Sequence, residues 1–202
     1  MRGLYAITDA SVFDPDVLSR QVAEVIDGGA VMVQFRHKTA DSGLYYALAQ
    51  AVIGTCRVSE TPCILNDHMR MARTLGADGA HLGQSDGSLN EARHLLGDQA
   101  ILGRTCHDSR VLMEGAVRDG ASYCAFGRLF GSETKPSAHG LSLPHLSELV
   151  EQCPVPVVAI GGITADNGRQ VLETGVSMLA VSAAVFRSKD IGNAARRLTQ
   201  LF

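Results

Sequence analysis

Tryptophan is absent from this chain of 202 residues, and all aromatic residues together make up 5% of it, so an aromatic-rich binding module is not expected. Charge is also sparse. Charged residues make up 19% and the formal net charge is -3, which removes the basic stripe that a nucleic-acid or membrane-surface binder needs. The five cysteines (Cys56, Cys63, Cys106, Cys124, Cys153) are odd in number and none forms a CxxC pair, so neither a disulfide framework nor a zinc site is indicated. Buried thiols in a reducing compartment are expected instead. No apolar run approaches the roughly 18 residues of a membrane span, and Leu4–Thr8 follows the first residues without a signal-peptide pattern. The expected location is therefore cytoplasmic.

What is present is repetition. Short apolar runs recur at Leu4–Thr8, Val31–Arg36, Pro62–Asn66, Ala80–Leu82, Ala100–Gly103, Tyr123–Phe126, Pro156–Ile160 and Met178–Ser182. Between them lie helical patterns: Pro15–Asp27, Leu44–Val58, Met69–Leu75, Leu89–Leu96, Arg110–Asp119, Leu143–Gln152, Ala165–Thr174 and Ile191–Leu201. Several of the 21 glycines stand where a helix must stop before the next strand, as in Gly28-Gly29, Gly76, Gly120 and Gly175. Eight βα units predict an α/β fold, either a doubly wound sheet or a closed barrel. No GxGxxG follows the first strand, which weakens the dinucleotide-binding form and favours a single-domain (β/α)8 TIM barrel over residues 1–202.

In such a barrel the chemistry sits where strands end. The second run ends in Gln34-Phe35-Arg36-His37-Lys38, the third in Asn66-Asp67, and the fourth leads to Gln84-Ser85-Asp86. The fifth leads to Thr105 and the sixth to Ser132-Glu133-Thr134-Lys135, while Gly161-Gly162 and Val181-Ser182 follow the last two. Arg36, Lys38 and Lys135 suit an anion such as phosphate or diphosphate, although any one of them alone reads equally well as solvated surface charge. Asp67 and Asp86 could share a hard cation such as Mg²⁺, but Asp67 equally suits capping of the Met69–Leu75 helix. The glycine pair would let backbone N–H groups approach a phosphate, or simply form a turn. His81 lies within an apolar run and reads as a hydrogen-bonded core residue, and adjacent Cys106 and His107 should point apart. No hydrolase triad is evident.

Taken together, Leu4-Tyr5-Ala6-Ile7-Thr8-Asp9, the QFRHK segment, Asn66-Asp67, Gly79–Asp86 (GAHLGQSD) and Ala159–Ile163 (AIGGI) resemble the thiamine-phosphate synthase family over nearly the whole chain. The resemblance implies a transferase that couples 4-amino-2-methyl-5-(diphosphooxymethyl)pyrimidine to 4-methyl-5-(2-phosphooxyethyl)thiazole, releasing pyrophosphate. It also implies roles for residues. Gln34, Phe35, Arg36, His37, Lys38 and Asn66 would line the pyrimidine diphosphate, and Asp67 and Asp86 would bind Mg²⁺. Thr105 and Lys135 would meet the diphosphate, whereas Ser132, Glu133, Thr134, Gly162, Val181 and Ser182 would hold the thiazole phosphate. Arg36, Lys38 and Lys135 would carry the catalytic charge, and Thr134–Gly140 would form a lid. Three positions depart from the family pattern: His37 stands where an acidic or other residue is frequent, Thr105 replaces a usual serine, and Gly131-Ser132 replaces Pro-Thr.

Three other readings compete, one of them a sugar-phosphate epimerase or isomerase barrel, supported only by Gly161-Gly162 and lacking an evident acid-base couple. A thiazole tautomerase-like enzyme would need no diphosphate or metal, but Arg128 occupies the place of its acid-base histidine, and arginine is a poor proton shuttle. A non-catalytic sensor of thiamine precursors would not need every charged group to be kept. The expected partners are small-molecule substrates, with no nucleic acid and no membrane. A homo-oligomer is compatible with each reading.

Overall fold

Alternation along the apolar runs gives each strand two buried faces, the pattern of a parallel sheet covered by helices. The computed structural model describes residues 1–38, 41–130 and 140–202. Its strands are β1 (Gly3–Ile7), β2 (Ala30–Phe35), β3 (Cys63–Asn66), β4 (Gly79–Leu82), β5 (Ile101–His107), β6 (Tyr123–Phe126), β7 (Val157–Ile160) and β8 (Met178–Val181). Each pairs in parallel with the next, and β8 returns to β1 to close the barrel. The helices are α1 (Pro15–Asp27), α2 (Ser42–Val58), α3 (Met69–Leu75), α4 (Leu89–Leu96), α5 (Arg110–Arg118), α6 (Leu143–Gln152), α7 (Gly168–Leu172), α8 (Ala183–Phe186) and α9 (Ile191–Thr199). The chain is one (β/α)8 domain.

Local chemistry sets the helix ends. Asp14 accepts hydrogen bonds from the Asp16 and Val17 amides, and Pro15 opens α1 where its missing N–H costs nothing. Leu18, Val22 and Val25 then face the sheet from one side of that helix. Ser88 caps α4 by accepting from the Glu91 amide, and Gly76 ends α3 in the left-handed conformation, φ 68°.

The strands separate two cores. Tyr5, Ile7, Met32, Ile64, Tyr123, Ala125, Val158, Met178 and Ala180 fill the barrel, while Leu4, Val33, Phe35, Leu65, Leu102 and Leu179 pack outward under the helices. Four cysteines are buried and Cys153 is partly so, all as free thiols.

Most boundaries fall within two residues of the sequence-based expectation, and three larger differences stand out. β5 runs on to His107 because ladder pairing with β6 carries Arg104 and Thr105, polar residues that interrupt the apolar run. The seventh helix shortens to Gly168–Leu172, since 165–167 form a turn in which Asn167 accepts from the Thr164 amide. An unexpected short helix, α8, follows β8, its apolar residues indistinguishable by pattern from a continuing strand.

Candidate active site

The C-terminal ends of the strands open into a cavity of about 670 Å³. Gln34, Arg36, Lys38, Asn66, Asp67, Asp86 and Thr105 line it, together with Tyr5, His81, Ser85 and His107. Strand geometry explains the set. Gln34 and Asn66 share their faces with Met32 and Ile64, so each extends the barrel interior into the mouth.

Phe35 is the correction on β2. The odd position turns it outward, where it is fully buried with its ring 5.0 Å from Tyr45, so its side chain does not reach the cavity. His37 also turns aside. It is buried against Phe13 (ring centroids 4.9 Å apart) and lines a neighbouring pocket of about 350 Å³ between the β2 and β3 ends, which shares Lys38, Asn66 and Asp67 with the main cavity.

Asp67 and Asp86 do meet. Ladder pairing sets Asn66 beside His81, the Asp67 amide donates to the His81 carbonyl at 2.8 Å, and the loop after β4 brings Asp86 back over Gly83. The Asp86 carboxylate accepts from the Gly83 amide at 2.9 Å, and a Cβ on Gly83 would lie only 2.6 Å from that oxygen. Burial pushes the Asp67 carboxyl upward, and hydrogen bonding and repulsion from Asp86 add to it, while Lys38 and Arg36 pull the other way. Lys38 Nζ lies 3.9 Å from Asp67.

Helix capping by Asp67 is overturned. His68 occupies the cap position of α3, no side chain caps it, and Asp67 instead holds a left-handed φ of 65°. That conformation costs a non-glycine residue energy and is found where surroundings enforce it, often at functional sites. The opposed carboxylates form an all-oxygen donor set that fits a hard divalent cation. Among the described residues no three His, Cys, Asp or Glu side chains gather as a metal site.

The floor is neutral. Buried Gln34, Tyr5, Tyr123 and His81 join Thr105 through hydrogen bonds of 2.7–3.0 Å. Burial and the Arg104 charge press the His81 imidazole down to about 4, so it is uncharged at neutral pH, as its place in an apolar strand suggested. Cys106 is fully buried while His107 is exposed, so the adjacent pair does point apart.

Across the mouth, Ile160 pairs with Ala180, so Gly161-Gly162 and Val181-Ser182 leave the sheet side by side. Gly161 and Gly162 have φ of 114° and 66°, and a Cβ on either would lie within 2.9 Å of the Arg128–Phe130 segment. Val181 turns its side chain into the outer core, leaving its backbone for any ligand. Asn167 braces this end by donating to the Gly162 carbonyl at 3.0 Å. Ser132, Glu133, Thr134 and Lys135, and the expected lid apart from Gly140, lie outside the described residues. Sequence reading did not single out Tyr5, Tyr123, Ser85 or Asn167; for the two tyrosines a hydroxyl on an otherwise apolar inward face was the only available signal, and a buried tyrosine carries it weakly.

The fold and its mouth define a class, a (β/α)8-barrel enzyme acting on small molecules. The chain belongs to the thiamine monophosphate synthase family, whose model matches residues 4–185. Over 202 residues it is 41% identical to a thiamine-phosphate synthase of Nitrosococcus oceani, covering all of this chain and 93% of that one. A thiamine-phosphate synthase of Methylococcus capsulatus is 42% identical over 201 residues, 89% of its length. The thiamine phosphate pyrophosphorylase structure from Pyrococcus furiosus superposes with a TM-score of 0.87 at 32% identity, covering 98% of this chain and 94% of that one. The family's enzymes are transferases, and so is this one. Among the described residues no helix is long and apolar enough to cross a membrane.

Proposed function

We propose that the enzyme joins the pyrimidine diphosphate to the thiazole phosphate with the help of Mg²⁺, forming thiamine phosphate and releasing pyrophosphate. The observation that carries this reading is the opposed Asp67 and Asp86 pair, flanked by Arg36 and Lys38 at one side of a cavity whose floor is uncharged. Asp67 and Asp86 would hold Mg²⁺, which would supply positive charge against a diphosphate.

The protein's own groups then divide the work. Arg36 and Lys38 supply positive charge where negative charge grows as the pyrimidine's exocyclic C–O bond breaks, so they bind the departing pyrophosphate more strongly than the ester. Lys135 would add to them. Gln34 and Asn66 hold the pyrimidine by neutral contacts, Thr105, tied through His81 to the same floor as Gln34, joins them there rather than meeting the diphosphate, and the aminopyrimidine itself spreads the developing positive charge. Gly162, the Val181 backbone and Ser182 would orient the thiazole phosphate so that the ring nitrogen attacks that carbon. No protein nucleophile is required, which agrees with a cavity that holds no triad among the described residues. Arg128, exposed and permanently charged, offers no proton shuttle for a tautomerase.

Purified protein mixed with both precursors and Mg²⁺ should form thiamine phosphate and pyrophosphate in equal amounts, and a chelator should stop both. Asp86→Ala should lower turnover by about 10²-fold or more and raise the Mg²⁺ concentration for half-activity. Equal Mg²⁺ dependence in wild type and Asp86→Ala would refute the metal assignment.

A further inference from the structure

One run of hydrogen bonds crosses the barrel beneath the cavity. Gln34 Nε2 donates to Tyr5 Oη at 2.7 Å, Tyr5 Oη and Tyr123 Oη are 2.8 Å apart, Tyr123 Oη lies 3.0 Å from His81 Nδ1, and His81 Nε2 lies 2.8 Å from Thr105 Oγ1. Gln34, Tyr5, Tyr123 and His81 are all buried, so little of the run is open to competing water. Space for the run exists because residue 103 has no side chain: a Cβ there would lie 2.1 Å from Tyr123 Cζ and 2.5 Å from His81 Nδ1.

One polarity gives every buried proton of the run an acceptor. An amide nitrogen can only donate, so Tyr5 Oη accepts from Gln34, and its single proton finds an acceptor within the run only at Tyr123 Oη. Tyr123 Oη, having accepted, donates to His81 Nδ1. A neutral imidazole that accepts at Nδ1 carries its proton on Nε2, and this N–H donates to Thr105 Oγ1. The Thr105 hydroxyl proton is thereby left for the cavity, and the Gln34 carbonyl oxygen is left as an acceptor.

We propose that Tyr5, Tyr123 and His81 are positioning residues that fix the proton polarity of the cavity floor, so that Thr105 presents a donor and Gln34 an acceptor to the pyrimidine ring. This rests on the synthase reading and adds a specificity rule to it. A 4-amino ring offers an N–H to Gln34 and an unprotonated ring nitrogen to Thr105. A 4-oxo ring, with a carbonyl and a protonated ring nitrogen, reverses both, setting acceptor against acceptor at Gln34 and donor against donor at Thr105. A site committed to one polarity rejects the reversed one strongly, because buried groups on both sides stay unpaired.

The test has two parts on the full chain. In ¹⁵N-histidine protein without substrate, His81, assigned through its backbone resonances, should show an unprotonated Nδ1 and a protonated Nε2. In kinetics, the 4-amino diphosphate should be preferred to its 4-oxo analogue by about 10³-fold or more. Tyr5→Phe, checked for folding by circular dichroism, should mix the His81 tautomers. It should also cut kcat/KM for the amino substrate about tenfold, narrow the amino-over-oxo preference and leave KM for the thiazole phosphate unchanged. Tyr123→Phe should do the same. An Nδ1-protonated His81 in active wild type, or an unchanged preference in both folded variants, overturns the polarity proposal. Wild type with the expected tautomer but no thiamine phosphate formation overturns the synthase reading instead, and the substrate rule with it.

Discussion

Gly103 shows how a single missing side chain shapes the site. Its neighbours Tyr123 and His81 already occupy the space a methyl group would take, and both are held by bonds to other strands. Gly103→Ala should therefore destabilise the fold by about 3 kcal/mol in urea unfolding and abolish activity, through overpacking rather than lost charge. His81 has a second measurable consequence. Below pH 6.5 the unfolded chain binds a proton that the folded chain refuses until about 4, so unfolding free energy decreases as pH drops across that window, by about 3 kcal/mol at most. Above 6.5 the imidazole is neutral in both states and its contribution is flat. Urea unfolding between pH 4 and 7 should show a shallower slope in His81→Gln than in wild type; parallel slopes would contradict this account.

Among the elements, strands were easier to read than their edges. Pro15–Asp27, Met69–Leu75, Leu89–Leu96 and Leu143–Gln152 fold as helices at the expected boundaries, because a cap or proline marks each start or a glycine its end. β5 was read short because polarity in its second half belongs to the mouth, so the site itself disguised the strand. α8 was missed because Val181–Phe186 is apolar or small throughout. Ser182 stands at its start with no side-chain bond to the helix, so its hydroxyl does no structural work there. Ser182→Ala should leave stability within about 0.5 kcal/mol of wild type. It should raise KM for the thiazole phosphate only about two- to tenfold, one hydrogen bond's worth, since backbone N–H groups remain. A loss beyond 10²-fold would assign the hydroxyl a larger role.

For the molecule as a whole, eight βα periods determined the α/β class, the missing GxGxxG favoured the barrel, and the polar residues that end the strands pointed to the face of the mouth and to many of its residues. These are local properties: side-chain polarity and glycine placement act within one unit, and a chain written in one dimension records them. The facing of particular side chains was decided only when the sheet closed. Alternation counted from the true strand start sends Phe35 outward and Gln34 inward, and that start depends on register with β1 and β3. Closure also brings Tyr5 within 2.8 Å of Tyr123 across 118 positions of sequence, and sets Asp67 against Asp86 rather than on a helix end. Contacts of that kind depend on the curvature and stagger of eight strands at once, which no segment of the sequence contains by itself.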